Sequence, residues 1–165
     1  MDRITIFGVS GSGKSTLANE LGKKLDLPVV HLDKLYWTKD WKEVYSTKME
    51  FKNAVEPFVK QDKWIIDGNY KKTLPSRLER ADVIIFFDFP KWRCVWRAFV
   101  RIFNTDKPFD KPDGAKQKIS FDLIKYILLW PNKEMLVLAE SYKDTKQVFI
   151  VHNNKEIKET LSKMC

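Results

Sequence analysis

Apolar residues along this chain fall into short unbroken runs that alternate with stretches of helical spacing. Ile4-Thr5-Ile6-Phe7 is the first such run and reads as a buried strand; Leu17, Ala18, Leu21 and Leu25 then recur along one helix face. Pro28-Val29-Val30-His31-Leu32 predicts a second strand, and a helix follows with Phe51, Ala54, Val55, Phe58 and Val59 on one side. Trp64-Ile65-Ile66 is a third strand ending at Asp67-Gly68, and a short helical piece lies around Ser76–Arg80. Val83-Ile84-Ile85-Phe86-Phe87 is apolar throughout and leads, past Pro90, into a helix from about Lys91 to Phe103. The polar stretch Asn104–Lys118 carries two prolines and one glycine and reads as a loop. Phe121, Ile124, Ile127 and Leu128 begin a long apolar helical segment that Pro131 should kink or break, and Gln147–Val151 and a final helix close the chain. There is no internal repeat.

Strands that are apolar at every position suit a parallel sheet covered on both faces. The βαβα alternation therefore predicts an α/β fold, an open parallel sheet with helices on both sides. Ligands of such sheets bind beyond the carboxyl ends of the strands, which draws attention to Asp33, Asp67, Asp88 and His152.

The junction of the first strand and first helix reads Gly8-Val9-Ser10-Gly11-Ser12-Gly13-Lys14-Ser15, matching the phosphate-binding loop G-x-x-x-x-G-K-[ST] in spacing and in position. Its glycines let the backbone turn tightly and aim N–H groups at a polyphosphate. Lys14 can reach the β- and γ-phosphates, Ser15 can ligate Mg²⁺, and the helix N-terminus adds partial positive charge. Gly8, Ser10, Gly11, Ser12, Gly13, Lys14, Ser15 and Thr16 are thus the residues expected to hold ATP with Mg²⁺.

Composition changes this picture little. At 165 residues and 19.5 kDa the chain is expected to be one domain, and Cys94 and Cys165 form neither a disulfide framework nor a zinc pattern. Met1-Asp2-Arg3 enters a strand directly, no apolar run approaches membrane-spanning length, and the expected setting is the cytoplasm. A net charge of +8 fits an anionic ligand such as a nucleotide and also fits nucleic acid, but the lysines are spread along the chain and equally describe a solvated surface.

Phosphoryl transfer asks for charge compensation and positioning more than covalent help. Asp67 and Asp33 stand at strand ends, where each suits a metal site or the positioning of an acceptor hydroxyl, and equally a turn or helix cap. Asp88 reads as the cap of the helix after Pro90. That helix carries Arg93, Arg97 and Arg101 in one stripe, apart from Trp92, Val95, Trp96, Phe99 and Phe103. The stripe suits a lid that closes on the transferred group, with Arg97 and Arg101 as its catalytic members, or a solvated basic face. Tyr36, Trp37 and Trp41 suit a stacking wall for a planar acceptor, or core. His31 and His152 lack metal spacing; His31 reads as a hydrogen-bonded structural residue, and His152-Asn153-Asn154 as an adenine contact or a helix cap.

Together these residues resemble a P-loop kinase of the adenylate kinase type. More closely, they are similar to the DNA topology modulation protein (FlaR-like) family. The resemblance rests on Gly8–Thr16, His31-Leu32-Asp33-Lys34-Leu35-Tyr36-Trp37, Trp64-Ile65-Ile66-Asp67-Gly68-Asn69-Tyr70, Ala81–Pro90 and Lys118-Ile119-Ser120-Phe121. It implies a five-stranded sheet of order 2-3-1-4-5, an acceptor-binding insertion at about 33–62 and a lid at about 104–118. Adenylate kinases place a metal-associated Asp and an acceptor-binding Arg in Asp-Gly-Phe-Pro-Arg. Here Asp67-Gly68 matches, Asn69-Tyr70-Lys71 replaces the rest, and the nearest arginine is Arg77. Asp33, Tyr36, Trp37, Asp67 and Arg77 are accordingly the expected acceptor side, with Ser15, Asp67 and Asp33 around the metal. The expected activity is Mg²⁺-ATP-dependent phosphoryl transfer to a nucleotide, nucleoside or other small hydroxyl or phosphate acceptor. The rivals are a nucleic-acid-associated ATPase and a regulatory nucleotide-binding module that affects DNA topology.

Overall fold

The computed structural model describes residues 1–100 and 120–164. In chain order the elements are β1 Arg3–Gly8, α1 Lys14–Leu25, β2 Val29–His31, α2 Leu32–Tyr36, α3 Lys48–Val59 and β3 Trp64–Asp67. They continue with α4 Leu74–Arg80, β4 Val83–Phe87, α5 Lys91–Val100, α6 Phe121–Leu129, α7 Asn132–Glu140, β5 Gln147–Val151 and α8 Asn154–Met164. The five strands form one sheet of order β2-β3-β1-β4-β5, parallel throughout, with helices on both faces.

The all-apolar runs occupy the middle of this sheet. Ile4 and Ile6 of β1, Ile65 and Ile66 of β3, and all of Val83–Phe87 in β4 are buried, as a strand covered on both faces requires. Each fully buried Ile or Phe contributes about 1.5–3 kcal/mol relative to leaving it exposed. Helix α1 packs on β1, β2 and β3 through Leu17, Ala18 and Leu21; α4 contacts β1, α7 contacts β4 and β5, and α8 contacts β5 and α1. Trp64 starts β3 fully buried, and its indole N–H donates to the Val59 carbonyl at the end of α3 at 3.2 Å. Pro131 breaks the apolar helical segment as expected, giving α6 and α7 on either side.

Two local features depart from the sequence pattern. Leu32 does not prolong β2: it opens α2, so Asp33 sits in the first turn of a short helix instead of in a loop. In α5 the buried residues belong to neither of the two faces picked out by the sequence. Cys94 and Ala98 are the buried residues, while Trp92 and Trp96 are 72% and 62% exposed. The reason is steric: this helix approaches the β1–α1 loop so closely that a Cβ on Gly11 would lie 2.7 Å from the Cys94 carbonyl oxygen. Only small side chains fit on that side.

Register fixes where a site can form. His31 pairs with Asp67 and Asp67 with Ile6, while Gly8 pairs with Phe87 and Phe87 with Val151. The carboxyl ends of all five strands thus share one edge, with β1 at the point where the connections turn to either side.

Candidate phosphoryl-transfer site

The loop between β1 and α1 is held from beneath and from above. Gly8 has φ +134°, and a Cβ there would meet the Phe87 carbonyl oxygen at 2.3 Å, so β4 comes against bare backbone. The Gly8 N–H donates to Asn69 Oδ1 at 2.9 Å, and Lys14 curls back so that its Nζ donates to the Val9 carbonyl at 2.9 Å. On the other side Arg97 donates through Nη1 to the Ser12 carbonyl at 3.0 Å. Its Nη2 lies 3.1 Å from where a Gly13 side chain would begin. Of the three arginines in the sequence stripe, Arg97 therefore touches the loop; Arg93 lies over the Phe89 ring, and Arg101 falls outside the described residues together with the 104–118 lid.

Whether this loop suits a nucleotide can be read from its polar groups. Helix α1 begins at a left-handed Gly13 with no side-chain cap, and the Ser12 hydroxyl is buried with no hydrogen-bond partner among the described residues. Unsatisfied donors beside two cations make a cradle for an anion. Polyphosphate fits it. Ser10 and Ser15 are half-buried and Thr16 is exposed on the first turn of α1.

The side expected to take an acceptor is made of side chains. Asp67 ends β3 at 3% exposure, and His31 Nδ1 meets its Oδ1 at 2.7 Å. Asn19 Nδ2 lies 2.9 Å from His31 Nε2 and 2.7 Å from the Ser15 carbonyl. Two hydrogen-bonded residues therefore join Asp67 to the start of α1. Beyond it, Tyr70 donates its hydroxyl to Asp33 Oδ1 at 2.6 Å; burial and that carboxylate push the phenol far above its ordinary range, so it stays protonated. Tyr70 packs against Tyr36 and Phe51, with ring centroids 4.8 and 4.7 Å away, and Tyr36 meets Trp37 edge-on at 4.9 Å. Tyr36 and Phe51 are buried within this cluster, whereas Trp37 and Trp41 remain partly open. Asn69 connects the two sides, accepting from the Gly8 N–H at the base of the loop and standing next to Tyr70 in the chain.

Arg77 is placed differently from the expectation of an acceptor contact. Its side chain is 0% exposed, with Nη2 on the Gly68 carbonyl at 3.0 Å and Nη1 without a partner among the described residues. Burial lowers its pKa to about 9, opposed by Asp67, so it stays charged at neutral pH beneath the end of β3. It is enclosed in the protein, bonded to backbone carbonyls instead of open to an acceptor. The histidine and asparagine pairings at the chain's end are also structural. Asn153 Oδ1 accepts from the Lys155 and Glu156 amides, and Glu156 accepts from the His152 amide, which caps α8. Asp88 accepts from Asn132 Nδ2 at 2.6 Å, tying β4 to α7.

A cavity of about 760 Å³ opens at the opposite, amino end of the sheet between Arg3, Arg80, Asp82 and Lys146. Its charges answer one another: Arg3 pairs with Asp82 at 2.7 Å, and Lys146 donates to the Glu79 and Ala81 carbonyls. Every phosphate-directed feature lies at the other end.

Three solved structures share this fold over nearly the whole chain. Deoxyadenosine kinase from M. mycoides superposes with a TM-score of 0.55 at 18% identity, covering 98% of this chain and 97% of that one. A gluconokinase from Sinorhizobium meliloti gives 0.59 at 14% identity, with 99% and 89% covered. Shikimate kinase from Bacteroides thetaiotaomicron gives 0.55 at 16%, with 99% and 95% covered. The chain has the fold of the P-loop kinases. No family model matches it, and no curated protein matches it by sequence. No helix among the described residues is long and apolar enough to cross a membrane, and no cluster of three or more His, Cys, Asp or Glu there forms a metal site by itself.

His31, Asn19, Asn69 and Tyr70 are bonded to the loop or to the predicted site residues and were not singled out by the motif. His31 and Tyr70 do stand inside the two stretches that carry the family resemblance, and that is the signal that could have marked them.

Proposed function

We propose that this protein is a small-molecule kinase that transfers the γ-phosphoryl group of Mg²⁺-ATP to a small hydroxyl-bearing or phosphate-bearing acceptor. The observation that carries this reading is the meeting of a phosphate cradle with Arg97 on one side and the Asp67–His31 pair on the other. The kinases of similar fold act, by their names, on a nucleoside, gluconate and shikimate, which supports a small acceptor. The name of the topology modulation family that the sequence resembles describes a cellular outcome rather than a chemistry.

The loop amides, Lys14 and Arg97 hold the phosphates; Ser15 would hold the metal, with Asp33 toward its hydration shell. When bound, Mg²⁺-ATP supplies the phosphoryl group and offsets its charge. Asp67 orients the acceptor hydroxyl and takes its proton as the new O–P bond forms and the bond to the β-phosphate oxygen breaks. Arg77, buried nearby, adds its positive charge to the surroundings of Asp67. Tyr36, Trp37 and Trp41 form one wall of the acceptor space, and Tyr70 steadies Asp33 at its edge.

The test is a screen of nucleosides, nucleotides and small hydroxy metabolites with Mg²⁺-ATP, read by mass for the gain of one phosphoryl group. An acceptor modified by the wild type and not by Lys14→Ala is expected. ATP hydrolysis alone, stimulated by duplex DNA, would overturn the reading in favour of a nucleic-acid-associated ATPase.

A further inference from the structure

The pairing of His31 with Asp67 has a direction, and Asn19 sets it. The Asn19 amide group has two N–H bonds, one on the Ser15 carbonyl at 2.7 Å and one directed at His31 Nε2 at 2.9 Å. Turning the amide over would place its oxygen 2.7 Å from the Ser15 carbonyl oxygen, an arrangement that two acceptors do not tolerate. Nε2 therefore accepts. In a neutral imidazole the proton must then sit on Nδ1, where it donates to Asp67 Oδ1 at 2.7 Å. Both ring nitrogens are used and His31 is only 8% exposed, so the ring cannot turn without losing both bonds.

We infer that Asn19 and His31 form a positioning relay that fixes the Asp67 carboxylate, holding Oδ1 on the protein and presenting Oδ2 to the acceptor. The inference rests on the kinase reading for what Asp67 then does, but the relay itself is a property of this chain. Among the described residues Oδ1 carries the only hydrogen bond to Asp67, and that bond comes from His31. Because the relay ends on the carbonyl of Ser15, it also ties the acceptor-side carboxylate to the first turn of α1, which carries the phosphate cradle. Donor and acceptor groups are thereby held in one frame, the condition for an in-line transfer with little reorganisation. His31 touches neither reacting group in this scheme: it is a positioning residue, comparable to the outer partners whose loss costs about 10–100-fold elsewhere.

Two measurements test the relay, one of them independent of any activity. The chain has two histidines, so long-range ¹H–¹⁵N spectra of the labelled protein at neutral pH contain two ring systems, and His31 is the one that disappears in His31→Asn. Protonated Nδ1 with bare Nε2 is expected for His31; an Nε2–H tautomer or an imidazolium would overturn the proposal. The second measurement is turnover with the acceptor found in the screen. His31→Ala should lower kcat about 10–100-fold while leaving ATP affinity unchanged. His31→Asn keeps an N–H near the Nδ1 position and should recover most of the loss. Wild-type kcat in His31→Ala, or equal impairment of the two variants, would contradict it. Absence of any transfer by the wild type would instead count against the kinase reading and leave the tautomer result standing.

Discussion

The donor and acceptor halves of the proposed site are built in opposite ways. The donor half is backbone: a glycine loop pressed between β4 and α5, in which the Phe87 and Cys94 carbonyls stand where side chains would have to be. The acceptor half is side chain: two carboxylates, a histidine, an asparagine and a group of aromatic rings contributed by β2, α2, β3 and the segment after it. The first breaks when an atom is added, and the second when one is removed. A cradle that must fit any nucleoside triphosphate gains from fixed amides, whereas recognition of one particular acceptor needs chemistry that only side chains provide.

The largest effect should come from the one side chain on which the donor half depends. Lys14→Ala is expected to lower phosphoryl transfer by about 10³-fold, as loss of a preorganised positive donor does, with a stability change of only about 1 kcal/mol for the bond to Val9. Steady-state kinetics together with urea unfolding checks both halves of that statement. Next comes an added methyl group. Gly8→Ala meets Phe87 at a positive φ and should destabilise the fold by about 3 kcal/mol, seen as a lower denaturation midpoint. If Gly8→Ala were neutral, the donor half would not be backbone-limited and the contrast would fail.

The acceptor half answers to deletion. Tyr70→Phe removes the bond to Asp33 and keeps the ring among Tyr36 and Phe51, so acceptor KM should rise about tenfold with ATP affinity unchanged. An equal loss of ATP affinity would show that the two halves are not separable. The smallest effect belongs at the far end of the sheet. Burial opposes ionisation of Asp82, but the Arg3 side chain and the Asp2 and Arg3 amides outweigh it and hold its pKa at about 2, below the ordinary 3.8. This contribution is complete above pH 3.8 and disappears as pH falls through about 2. Because Asp82 is one-third exposed, about 1 kcal/mol is expected, and Asp82→Asn should flatten the acid limb of the unfolding curve without touching ATP binding.

The same contrast explains what could be read from the sequence. Gly8–Ser15 is contiguous, and a loop made of backbone needs only its glycines, its lysine and its flanking strand and helix to be recognised. The sheet order followed from the resemblance, and the structure bears it out. The acceptor half is scattered: Asn19 and Asp67 are 12 and 36 residues from His31, and only the β2–β3 register brings them together. His31 thus reads as structural until its neighbours are known. Arg77 has the right type and neighbourhood, yet nothing in a sequence says that it lies wholly beneath the strand end. The face of α5 misled for a related reason. Hydrophobic spacing groups its tryptophans on one face, while the buried residues beside the close approach to Gly11 are Cys94 and Ala98.

The claim that both halves serve one transfer is tested most directly by Asp67→Asn, which keeps the shape and an acceptor for His31 but removes the charge. ATP affinity and kcat would be measured on the same preparation with the acceptor identified in the screen. The account predicts an unchanged ATP dissociation constant and a kcat lower by about 10²-fold or more. A parallel loss of ATP affinity, or an unchanged kcat, would contradict it.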